Sequence, residues 1–120
     1  MASKKSPGAP PEAVAAYERL VATVPEVQVK GATNPYTSLN GNMFSYLPPA
    51  GALALRLPTG IRKEFLEKYK TSLMVVGGFI QKEYVVVPGE LLQNTSELTP
   101  YFAASFAYVS SLKPKPTKRA

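Results

Sequence analysis

The chain has 120 residues, 45% of them apolar and 10% aromatic, with a net charge of +6; that suffices for one domain with one hydrophobic core and is too short for two ordinary ones. It contains no His, Cys, Asp or Trp, so every acid is a Glu. Without imidazole or thiol there is no Ser-His-Asp or Cys-His triad and no nitrogen–sulfur zinc site, so no metal is expected; Glu, Lys or Tyr chemistry or a bound cofactor would survive that shortage, and no cofactor is assigned.

Residues 1–9, with Lys4 and Lys5 among Pro, Gly and Ser, read as a flexible basic arm. Pro10 and Pro11 suit a helix entry, and Val14, Tyr17, Val21 and Val24 recur at steps of three, four and three, which predicts a helix from Glu12 to about Thr23. In residues 26–32, Val27 and Val29 alternate with Gln28 and Lys30, the pattern of a half-buried strand closing at Gly31. Asn40 and Gly41 form a tight hairpin signal, and a second strand is expected at Met43–Leu47. Its apolar letters fall on both parities, Met43 and Leu47 facing one way and Phe44 and Tyr46 the other, so neither sheet face is plainly a wet one. Past a Pro-rich turn, Leu53, Leu55 and Leu57 alternate with Ala52, Ala54 and Arg56, a third strand paired antiparallel with the second.

Thr59 is placed to cap a helix that runs to about Tyr69 and buries Ile61, Phe65, Leu66 and Tyr69. Leu73–Val76 reads as a short strand, Gly77–Gly78 as a break with Phe79 and Ile80 on its far side, and residues 82–88 as a β-branched strand stopped by Pro88. Leu98, Phe102, Phe106 and Val109 step along a last helix with Thr99 and Pro100 at its start. Residues 113–120 form an extended basic tail carrying Lys113, Lys115, Lys118 and Arg119. For the single domain at 10–112 this is the order α-β-β-β-α-β-β-α. Antiparallel hairpins with helices on one face make an α+β two-layer sandwich.

Three sets of residues are candidates for function. The tails carry six cations and no acid, whereas residues 10–112 hold eight basic and eight acidic residues. Such arms support at most weak, sequence-blind nucleic-acid binding, and otherwise act as solubilisers. The second sheet face, with Phe44, Tyr46, Tyr84 and Val86, exceeds what one helix layer covers, which predicts burial against a second copy, giving a homodimer, or against a protein partner. Lys30, Asn34, Tyr36, Arg56, Lys82 and Glu83 lie at strand ends or on the polar parity, where they could converge on an anion or a ligand carboxylate; the plainer reading is a set of solvated strand edges. An enzyme would have to use Glu83, Tyr84 or a borrowed cofactor, and Gly77–Gly78 lacks the lysine and hydroxyl of a phosphate loop. No apolar run of about 18 residues exists and no apolar h-region follows the N-terminal lysines, which predicts a cytoplasmic protein without a membrane association.

Residues 40–58 (NGNMFSYLPPAGALALRLP), the helix with Phe65 and Tyr69, and residues 82–109 (KEYVVVPGELLQNTSELTPYFAASFAYV) together resemble the TfoX N-terminal-domain-like proteins. The likeness spans roughly residues 12–112. It implies a small α+β fold of the secretion-chaperone-like type and, since no catalytic residues come with the family, a non-catalytic regulatory or protein-interaction role. Longer members with a second helical domain regulate natural competence together with other transcription factors. The family's Met-Phe-Gly-Gly element is replaced here by KGATNPY, so no role is carried over to that loop.

Overall fold

The computed structural model describes residues 10–31, 35–39, 41–48 and 51–112. Pro10 and Pro11 open helix α1 (Pro11–Val21), where a missing backbone donor costs nothing. Its buried face is Ala13, Ala16, Tyr17, Leu20 and Val21, while Val14 sits at the margin. The Thr23 hydroxyl closes the helix end by donating to the Leu20 carbonyl at 2.6 Å.

The strand expected at 26–32 does not form. Val27 and Val29 rest against the core, but the Val27 amide is taken by a turn to the Val24 carbonyl, and only Lys30 makes a ladder contact, an isolated bridge to Tyr36. The first strand is instead β1 (Tyr36–Leu39), paired antiparallel with β2 (Asn42–Tyr46). The hairpin signal explains the displacement. With Leu39 opposite Asn42, only residues 40 and 41 lie between the strands, so the partner of β2 must be the four residues directly before the turn; Gly41 takes the positive φ, 81°, that this turn needs.

β3 (Leu53–Arg56) pairs with β2 as expected. After α2 (Thr59–Tyr69) come β4 (Leu73–Val76) and β5 (Phe79–Val87), a hairpin across Gly77–Gly78. β5 thus begins at Phe79 rather than at Lys82. The sheet order is β1-β2-β3-β5-β4, and every pairing is antiparallel. A short α3 (Gly89–Gln93), unforeseen in the sequence, precedes α4 (Thr95–Ser110), which starts a turn before Thr99 and carries Pro100 inside. Thr59 is the first helical residue of α2 rather than its cap, a position that Pro58 takes.

All four helices feed one core with Phe44, Leu47, Leu53, Leu55, Leu57, Val85 and Val87 of the sheet region, so the fold is α+β with its helices on one face. Phe44 is the correction that matters for function. The β1–β2 register shifts between Thr37, opposite Ser45, and Ser38, opposite Met43. β2 therefore holds one extra residue, and such a bulge turns two successive side chains to one side. Phe44 joins Ser45 in the core, fully buried, 5.6 Å from the Phe102 ring and 6.0 Å from the Phe106 ring. It is not part of an open second face. In the same layer the Tyr17 and Ser45 hydroxyls are 2.6 Å apart and Ser45 also meets the Thr37 hydroxyl, so these three buried oxygens satisfy one another.

Candidate functional site

β3 ends on Arg56, which lies opposite Tyr84 of β5, and this corner gathers the polar chemistry of the sheet. Arg56 Nε and Nη2 both lie 2.7 Å from Glu83 Oε1. The other carboxylate oxygen accepts from the Tyr108 hydroxyl of α4 at 2.7 Å, and the guanidinium stands 5.6 Å from the centre of the Tyr108 ring. The Met43 carbonyl of β2 accepts from the Tyr84 hydroxyl at 2.7 Å and from Arg56 Nη1 at 3.4 Å. One arginine thereby ties three strands to a helix. A cleft of about 340 Å³ beside it is lined by Arg56, Gln81, Lys82, Glu83 and Tyr84.

Partial burial pushes the Glu83 carboxyl upward, but the Tyr108 hydroxyl, the Arg56 hydrogen bond and charge, and the more distant Arg62 outweigh it, so it is held below its ordinary value. Tyr108 is pushed up by its bond to Glu83 and by burial. Tyr84 is pushed up by burial first and then by Tyr46 and Glu83, against the opposing pull of Arg56. At neutral pH the corner is an ionised carboxylate held by the Arg56 guanidinium and the Tyr108 hydroxyl. That is the opposite of a base or acid poised near pH 7, and Arg56 is already neutralised by Glu83. Replacing Arg56 with Met should raise the Glu83 titration midpoint, read from its side-chain carboxyl carbon by NMR. A midpoint unchanged from wild type would show that the pair is not formed in solution.

Of the six residues grouped as a pocket from sequence, Arg56, Lys82 and Glu83 do meet at this cleft. Lys30 and Tyr36 do not. They bridge one another at the start of the edge strand β1, because strand parity reports the face of a residue but not its position across the sheet. Asn34 lies outside the described residues, as do Lys4, Lys5, Lys113, Lys115, Lys118 and Arg119. Tyr108 and Gln81 were not in the sequence grouping; Tyr108 falls off the apolar stripe of α4, the one signal that its phenol serves another contact.

Tyr46, Tyr84 and Val86 share the sheet face opposite the helices. Tyr46 and Val86 flank Ala54 in the ladder, the two tyrosine rings are 5.6 Å apart, and Ala54 is fully buried beneath them. The Tyr46 hydroxyl donates to Gln81. This face is therefore half-covered by its own side chains. Among the described residues the large exposed apolar side chains lie elsewhere, at Val75, Val76, Phe79 and Ile80.

A second cleft, of about 420 Å³, lies between the end of α2 and the start of α4, lined by Lys68, Tyr69, Lys70, Glu90 and Glu97 among others. Tyr69 donates to Glu97 at 2.6 Å and Lys68 Nζ stands 5.3 Å from its ring. Burial and the bond to Glu97 both push the Tyr69 phenol upward, so it stays protonated. Among the described residues no cluster of three carboxylates could hold a metal ion, and no helix is long and apolar enough to cross a membrane. No protein-family model, curated protein sequence or solved structure matches the chain.

Proposed function

We propose that this chain is a TfoX N-terminal-domain-like protein, a small non-catalytic regulatory or protein-interaction module that acts as a cytoplasmic homodimer. What supports the family reading is where its residues fall: the NG signal between β1 and β2, the leucine repeat on β3, Phe65 and Tyr69 on α2, and the late β-branched segment on β5 before α3 and α4. The observation that carries the functional reading is the helix-free sheet face. Its Tyr46–Tyr84 pair, with Val86, offers half-buried aromatic and apolar surface held in place by its own hydrogen bonds, a chemistry favoured at protein contacts.

The six cations of the tails favour a second reading, a nucleic-acid accessory protein. One experiment separates the two. The full chain, and a variant with Lys4, Lys5, Lys113, Lys115, Lys118 and Arg119 all replaced by Gln, are titrated with duplex DNA and single-stranded RNA at two salt concentrations. The module reading expects no binding from either chain at physiological salt. Binding that vanishes with the tail charges, with a salt slope no steeper than roughly −5, would replace it with the second reading.

A further inference from the structure

The cleft between α2 and α4 holds charges that the fold itself does not use. Its volume of about 420 Å³ lies within the roughly 300–1,000 Å³ of small-molecule sites. The cations Lys68 and Lys70 come from the end of α2, and the acids Glu90 and Glu97 from α3 and α4. None of the four forms an ion pair among the described residues, and Lys70 and Glu90 have no hydrogen-bond partner there either. Pro88, the buried Leu91 and the Tyr69 ring add apolar surface to the lining.

Two features fix this arrangement in place. The Tyr69 hydroxyl donates to Glu97 Oε2 at 2.6 Å and Asn94 Nδ2 donates to Oε1 at 3.5 Å, so one carboxylate is anchored to α2 and to the start of α4. Lys70 takes the left-handed backbone, φ 52° and ψ 47°, at the point where α2 ends. It is the one residue other than glycine with a positive φ among the described residues. Glycine would adopt that conformation without the crowding that a Cβ brings. Backbone strain of this kind gathers at ligand contacts, where the side chain has a use.

We propose that this cleft binds a small zwitterion, an amino acid or dipeptide with an apolar side chain, its carboxylate received by Lys70 and Lys68 and its ammonium by Glu90 and Glu97. A ligand of one sign would lose on one set of charges what it gained on the other, since an anion meets the two glutamates and a cation the two lysines. A molecule carrying both charges satisfies both sets. Its side chain then removes the apolar surface of Pro88, Leu91 and Tyr69 from water. The cleft lies on the helix side of the sheet, away from the Tyr46–Tyr84 face, and its ligand is independent of what that face contacts.

The test is an NMR titration of the full chain, followed at the backbone amides and at the Asn94 side-chain amide, with L-leucine and L-leucyl-L-leucine as probes. At least one should bind saturably with a millimolar dissociation constant, and the tighter of the two tells a free amino acid from a peptide. N-acetylation removes the ammonium and C-terminal amidation the carboxylate, and each should weaken binding about five- to tenfold. Lys70→Gly should keep or raise the denaturant midpoint and lower the preference for the free carboxylate over the amide. Glu90→Gln should lower the preference for the free ammonium over the acetylated form. Should Lys70→Gly fail to fold, Lys70→Asn, which also tolerates that backbone, reads the same contact. No saturable shift from either probe up to its solubility limit overturns the proposal, as does a preference unchanged in either variant. Blocked forms that bind as well as the free ones overturn it too, and an acetylated form that binds better would replace it with an anion site on the lysines.

Discussion

Replacing Phe44 with Ala is expected to destabilise the fold by about 3–5 kcal/mol, a large share of the roughly 5–15 kcal/mol that holds a small domain together. Phe44 is fully buried and its ring meets Phe102 and Phe106, so truncation removes both the transfer free energy of the ring and its packing against α4. The β2 backbone cannot readily close the gap, since the register shift beside Thr37 sets the strand and the Phe44 carbonyl accepts from the buried Ser105 hydroxyl at 3.3 Å. Denaturant unfolding of Phe44→Ala against Tyr46→Ala is the decisive comparison. Both residues lie on β2, but Tyr46 is only half-buried on the opposite face, and its loss should cost markedly less. If Phe44→Ala kept the wild-type midpoint and altered only self-association, the bulge would be wrong and Phe44 would belong to an interface.

That bulge also marks where sequence reading stops. The period-two leucines of β3 and the four-four-three stripe of α4 are strong enough to place both elements, and an α+β sheet with helices on one face follows from the order of hairpins and helices. One extra residue in β2 leaves no mark in the pattern, yet it reverses the side on which Phe44 lies. The two valines at 27 and 29 mimic a strand because alternation over so short a stretch is satisfied equally by a loop lying on the core. α3, five residues between Pro88 and Asn94, is shorter than any window in which helical periodicity can be read. At the polar corner, Arg56, Lys82 and Glu83 could be grouped because strand parity and charge are visible in the sequence. Tyr108 could not, since its contact depends on how α4 lies across the sheet. The hairpin was legible as a short strand at Leu73–Val76, a break at Gly77–Gly78 and apolar residues beyond it. Its exposure was not, because a buried strand would read the same way.

Above neutral pH, Tyr17 should govern a further loss of stability. Burial in the core pushes its phenol up to about 12, despite the opposing hydrogen bonds of Ser45 and Thr37. The unfolded chain releases the same proton near its ordinary value of 10.0. A folded-state value above the unfolded one means that the stabilising contribution is complete below about pH 10 and is lost as the pH rises toward 12. A shift of this size corresponds to roughly 3 kcal/mol. Tyr46, Tyr69, Tyr84 and Tyr108 are also raised and weaken the fold in the same direction, so the comparison must be made against Tyr17→Phe, in which those four remain. At neutral pH that variant should be less stable by about 1 kcal/mol, the net worth of one hydrogen bond, while Ser45 keeps Thr37 as its partner. Across the alkaline window it should lose less than the wild type, and the two curves of unfolding free energy against pH should cross. Curves that run parallel from neutral to strongly alkaline pH would mean that the Tyr17 phenol titrates in contact with water, and that α1 does not close over Ser45 and Thr37 in solution.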